Sequence, residues 1–279
     1  MLAPALAVVL LLFGGGLAFA LAQSLGYLPL IGRTELSFDA YAAVLGRRAF
    51  AASLLLTLHI AATSTMLATA LAVTFALAIR ASRRGRRLMS LLFQLNLPIP
   101  HLVGAVAMAD LLAQSGLLAR AAAALGLIAE PAQFPALVFD RWGVAIIAEY
   151  VWKETAFIGV TVLAVLQAIG PEYEELARSL GASRWQRFRL VLLPLMMPGV
   201  LAASVIAFAF SFGAFEVPLL LGASFPQALP VLAYRSYADV DLAARDEAMA
   251  LCVLIALLVG VMVFAYMQLS RRYLRHERG

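Results

Sequence analysis

Five stretches without Asp, Glu, Lys or Arg constrain this chain more than anything else in it: residues 1–32, 49–79, 88–109, 190–215 and 248–270. A helix needs about 20 apolar residues to cross roughly 30 Å of hydrocarbon, and each stretch is long enough. A further segment at 143–168 has the length but holds Glu149, Lys153 and Glu154. The runs are continuous and rich in Ala and Leu, without the period-two alternation of barrel strands. The sequence therefore predicts an all-α membrane protein with six transmembrane helices. Composition agrees: 63% of the 279 residues are hydrophobic and 13% are charged. One soluble core cannot hide that much apolar surface. The lone Cys252 excludes a disulfide scaffold. Ala20-Leu21-Ala22 imitates a leader cleavage site, but no basic residue precedes it and the apolar run is too long.

Orientation follows from arginine. Segment 80–87, segment 171–189 and the tail beyond 270 hold 13 arginines, and the loops of the opposite side hold 7. Arginine collects on the cytoplasmic side, so both termini are expected inside. The same rule accounts for the net charge of +5, with no call for nucleic acid. No gap between spans is long enough to fold as a separate domain, so no ATPase is expected within the chain.

The segment after the fourth span, Gly170 to Gly199, is the most informative. Pro171 suits the start of a helix. Glu172, Glu174 and Glu175 suit the positive end of its dipole. Tyr173, Leu176, Ala177 and Leu180 fall on one apolar face. Gly181 is placed to end the helix in a left-handed turn. Ser183 and Gln186 form a capping-box pattern opening the next. Pro194 and Pro198 are expected to break or kink the chain as it re-enters the membrane.

This segment resembles the cytoplasmic signature loop of type I ABC importer permeases. The family pattern runs Glu-Ala-Ala, three residues, Gly, nine residues, Ile-x-Leu-Pro. Here Glu175-Leu176-Ala177 is followed after three residues by Gly181, and after nine more by Val191-Leu192-Leu193-Pro194. Leu176 and Val191 depart from the pattern, both mildly. The resemblance implies a short cytoplasmic coupling helix between helices 4 and 5 that docks on a nucleotide-binding subunit. It assigns Glu174, Glu175, Ala177, Gly181 and Pro194 to that ATPase-coupling loop. It implies a bacterial inner-membrane location, two ATPase subunits that use the ATP, a second permease, an external solute-binding protein and surrounding lipid. No cofactor is expected on this chain itself. Residues 50–270 would form the family's transmembrane domain, residues 1–49 an added first helix and external loop, and residues 271–279 a cytoplasmic tail. The stretch 211–222 resembles more narrowly the permeases of the spermidine/putrescine, ferric iron and thiamine group.

A charge inside a bilayer costs about 2.5–3.5 kcal/mol on insertion scales and is usually paired or functional. Glu149 and Lys153, four apart, are expected to neutralise each other. Glu154 points elsewhere and needs another partner or water. Glu216 sits beside an expected helix break ahead of Pro218. These four residues are the candidates for the translocation path. Asn96, Pro98, Pro100 and His101 interrupt the third span. His59, His101 and His276 lack metal-ligand spacing, and no catalytic motif is present. The carboxylates suggest a cationic, polyamine-like solute. The competing function is an ion-coupled secondary transporter built on Glu149, Lys153 and Glu216.

Overall fold

The computed structural model describes residues 3–82 and 85–276, so Arg83, Arg84 and Arg278, three of the arginines that set the orientation, lie outside it. The described residues are nearly all helical, and their only bridge of strand type joins Leu28 to Arg33.

The first span starts as α1 (Ala3–Val8), widens into π-helical turns over Val9–Gly14 and continues as α2 (Gly15–Ser24). Leu10, Leu11, Leu12 and Phe13 are each more than two-thirds exposed, which suits a helix surrounded by lipid. A short external helix, α3 (Asp39–Gly46), leads to the second span, α4 (Arg48–Ala81). At 34 residues α4 is about 50 Å long and outreaches the hydrocarbon, carrying Arg80 to the cytoplasmic side. The third span is discontinuous: α5 (Arg86–Gln94), an irregular turn over 95–100, then α6 (His101–Leu112). External α7 (Leu117–Ala124) and a loop precede the fourth span, α8 (Val144–Ala168).

On the cytoplasmic side lie α9 (Glu172–Ser179) and the single turn α10 (Arg184–Arg187). The chain then runs through π-helical turns over Phe188–Leu192 into the fifth span, α11 (Leu193–Gly213). The expected break at Pro194 and Pro198 is absent. Pro194 falls in the first turn of α11, where a missing N–H costs least, and Pro198 is carried inside a continuous helix. Short α12 (Glu216–Leu221) and α13 (Leu229–Tyr237) return on the external side, and α14 (Ala244–His276) is the sixth span.

The centre of the bundle is the contact of α4 with α8. Ser64, Ala68, Ala72 and Ala76 recur every four residues along α4 and are fully buried. Between helices in lipid, association rests on close packing, and small residues let the backbones approach. Ile158, Val162 and Leu166 of α8 fill the resulting seam, with Met196, Val200 and Ala203 of α11 closing it.

Candidate functional site

The interrupted third span organises the first of two sites. Pro98 offers no N–H, and Pro100 begins α6 in extended backbone, so the carbonyls of the turn cannot be met within a helix. In hydrocarbon each unmet group is costly. Lys153 of α8 meets them: its Nζ donates to the carbonyls of Asn96 and Ile99 at 2.6 Å each, and to that of Leu97 at 3.4 Å. Asn96 Nδ2 donates in return to the Trp152 carbonyl at 2.6 Å. On the other side of the break, Nδ1 of His101 lies 3.1 Å from Oε1 of the fully buried Glu149. Gly104 makes this approach possible, since a Cβ there would stand 2.8 Å from Glu149 Oε1.

The expected Glu149–Lys153 pair is therefore corrected: the two make no direct ion pair. The broken helix separates them, offering carbonyls to the cation and an imidazole to the acid. Among the described residues Glu154 has no hydrogen-bond or ion-pair partner although it is 5% exposed. It lines a cavity of about 220 Å³ with His101, Lys153, Ile206 and Phe210. The His101 and Phe210 rings lie 4.6 Å apart between centroids and tilted by 35°, with the Tyr150 ring edge-on to both. Tyr150 is fully buried and its hydroxyl has no partner; the same holds for the side-chain oxygens of Asn96, Thr155 and Ser211. Glu216 opens α12 just after α11 ends at Gly213, so the helix break expected beside it is present. Glu149, Tyr150 and Glu154 share α8, and α12, which begins with Glu216, packs against that helix. Buried polar atoms without partners among the described residues are exceptions in a folded protein and are costly in hydrocarbon.

The second site is cytoplasmic. Gly181 has φ +82°, with Gly181 N–H donating to Arg178 O and Ala182 N–H to Ala177 O, which closes α9 as expected. The capping box is complete: Gln186 N–H donates to Ser183 Oγ, and Ser183 N–H to Gln186 Oε1. Tyr173, Leu176 and Leu180 are 51%, 63% and 80% exposed. Glu175 is also exposed, Ala177 half-buried, and Pro194 lies beyond the turn within α11. Glu174 alone among the predicted loop residues is tied to the bundle, through an ion pair of 2.7 Å with Arg80 of α4. Sequence reading counted Arg80 only as one more cytoplasmic charge; its partner lies 94 residues away, and no local pattern announces it. His101 and Asn96 were read as interruptions, not as the groups that hold Glu149 and Trp152.

Six apolar spans, one of them discontinuous, and a capped helix pair between the fourth and fifth define a multi-pass membrane protein. The chain belongs to the family described as the binding-protein-dependent transport system inner membrane component, whose model matches residues 68–276. It is thus the permease subunit of an ABC importer and a multi-pass inner-membrane protein. It is 30% identical over 213 residues to the molybdenum transport system permease protein ModB of Mycobacterium bovis, covering 76% of each chain. It is 33% identical over 138 residues to the sulfate transport system permease protein CysT of Salmonella typhimurium, covering 49% of this chain and 46% of that one. The fold matches that of a bacterial ABC transporter involved in the import of alginate, with a TM-score of 0.82 over 98% of this chain and 94% of the other, at 22% identity. Membership of this family does not favour an ion-coupled secondary transporter.

Proposed function

We propose that this chain works with two ATPase subunits, a second permease and an external solute-binding protein, and that α9 with its Gly181 turn is the element through which ATP turnover on the partner reaches the spans. The observation that carries this is the rigid, capped helix pair with an exposed apolar face of Tyr173, Leu176 and Leu180, joined by Trp185, which is 63% exposed. Soluble surfaces rarely expose such a patch without a partner. Glu174, Glu175, Ala177 and Pro194 take their places in this unit as helix, face and re-entry point. Purification in mild detergent with mass spectrometry tests it: ATPase subunits should accompany the chain, and a chain that transports alone would overturn the reading.

For the solute, the similarity to sulfate and molybdenum permeases supports a small oxyanion. A cationic solute, polyamines included, is the second reading. It is favoured by Glu154, a carboxylate without a protein partner on the cavity wall, while Lys153 is held by backbone carbonyls. Uptake of labelled molybdate, sulfate and spermidine by the reconstituted complex separates them. Oxyanion accumulation alone supports the first reading, and spermidine accumulation alone the second.

A further inference from the structure

We infer that Arg80 is the positioning residue that makes the cytoplasmic helix pair move with the bundle, an inference that rests on the coupling role proposed for α9. One guanidinium joins three elements. Its Nε donates to Glu174 Oε1 at 2.9 Å, in the first turn of α9, and its Nη2 lies 2.7 Å from the same oxygen as an ion pair. Nη2 also donates to the Gly170 carbonyl at 2.8 Å, and Nη1 to that of Leu166. Leu166 is in the last turn of α8, where carbonyls lack helical partners and a cation is favoured. The side chain thus caps α8, grips α9 and belongs to α4.

Besides its packing on α10 and the π-helical turns that enter α11, little else fixes α9 to the spans. No residue of α9 is buried. The covalent link from α8 is Ile169, Gly170 and Pro171, with Gly170 at φ +72°. Between α9 and the cytoplasmic ends of α4, α5 and α8 lies an open cavity of about 1430 Å³. A force applied to α9 therefore reaches α4 and α8 most directly through Arg80. The pair is partly shielded, with 17% and 27% of the two side chains exposed, so it is held more firmly than an ion pair in open water. Lysine could keep the charge but not the planar fork that meets three acceptors at once.

The test uses the purified permease–ATPase complex and follows hydrogen–deuterium exchange with and without ATP and orthovanadate. In the unaltered complex, trapping should change exchange in α9 and also in α4 and α8. In Arg80→Gln the change in α9 should persist while that in α4 and α8 falls about fivefold or more, the lower bound of typical coupling energies. Arg80→Lys should restore part of it. A merely structural role would lower assembly and both responses together. If Arg80→Gln does not assemble, Glu174→Ala decides, because it removes the acceptor on α9 and keeps the cap on α8. A full bundle response in Glu174→Ala, or in an assembled Arg80→Gln, would overturn the role of Arg80. An unaltered complex whose α4 and α8 do not respond would overturn the coupling reading beneath it.

Discussion

Lys153 and Glu154 are adjacent in sequence, equally buried and opposite in charge, yet the structure gives them different work. Lys153 satisfies the Ile99 carbonyl at the break and adds a second donor to that of Asn96, which the Ile99 N–H already meets at 3.2 Å. Lys153→Met keeps the bulk and leaves the Ile99 carbonyl without this donor, at a cost of about 1–3 kcal/mol for one acceptor. Thermal unfolding in detergent should show a clear fall in melting temperature. Glu154 holds no hydrogen-bond partner among the described residues, so Glu154→Gln removes no contact and should leave the melting temperature close to that of the unaltered protein. Its effect should appear in uptake instead. Equal melting temperatures for the two variants would remove Lys153 from its structural role.

At the scale of elements, the α9–α10 unit separates backbone strain from partner contact. Gly181 is left-handed, and a Cβ there would meet nothing of this chain. Gly181→Ala therefore costs only the left-handed conformation, about 1 kcal/mol, and should transport nearly normally. Gly181→Arg carries the same strain plus a long side chain directed at whatever docks on the turn. It should insert normally and lose most ATP-driven uptake, and comparable uptake in the two variants would mean that nothing docks there. Both ends of this turn were legible in the sequence, because capping boxes and glycine stops are written within a few residues. The break in the third span was legible for the same reason, through Asn96, Pro98 and Pro100. What the sequence concealed are the partners. Helical spacing put Glu149 opposite Lys153, but the partner each prefers comes from a segment some 50 residues earlier, and only tertiary placement decides that competition. In α11 the prolines do not break the helix: Pro194 falls in its first turn and Pro198 is carried within it.

The whole molecule distributes its interactions by depth. At the outer end, Arg33 pairs with Asp246 at 2.6 Å, and Arg47 binds Glu247 through two bonds of 2.6 Å, tying the approach to α4 to the start of α14. At the inner end Arg80 ties α4 to α9. Between them, where water is absent, the small-residue seam of α4 and the carbonyl-bound Lys153 take over. Ion pairs at the outer end are half-exposed on their arginine side and contribute about 0.2–1 kcal/mol each, so packing in the middle layer must carry the stability. Arginines sit at both ends, and it is their excess at the α9 end that sets the direction of the molecule. That direction has a two-sided consequence. With Cys252 replaced by Ala, a cysteine at Leu127, in the loop between α7 and α8, should react with a membrane-impermeant maleimide added outside intact spheroplasts. A cysteine at Leu180, which is more exposed still, should react only after lysis. The reverse pattern would put α9 outside, beyond the reach of any ATPase in the cytoplasm, and the coupling role would fail with it.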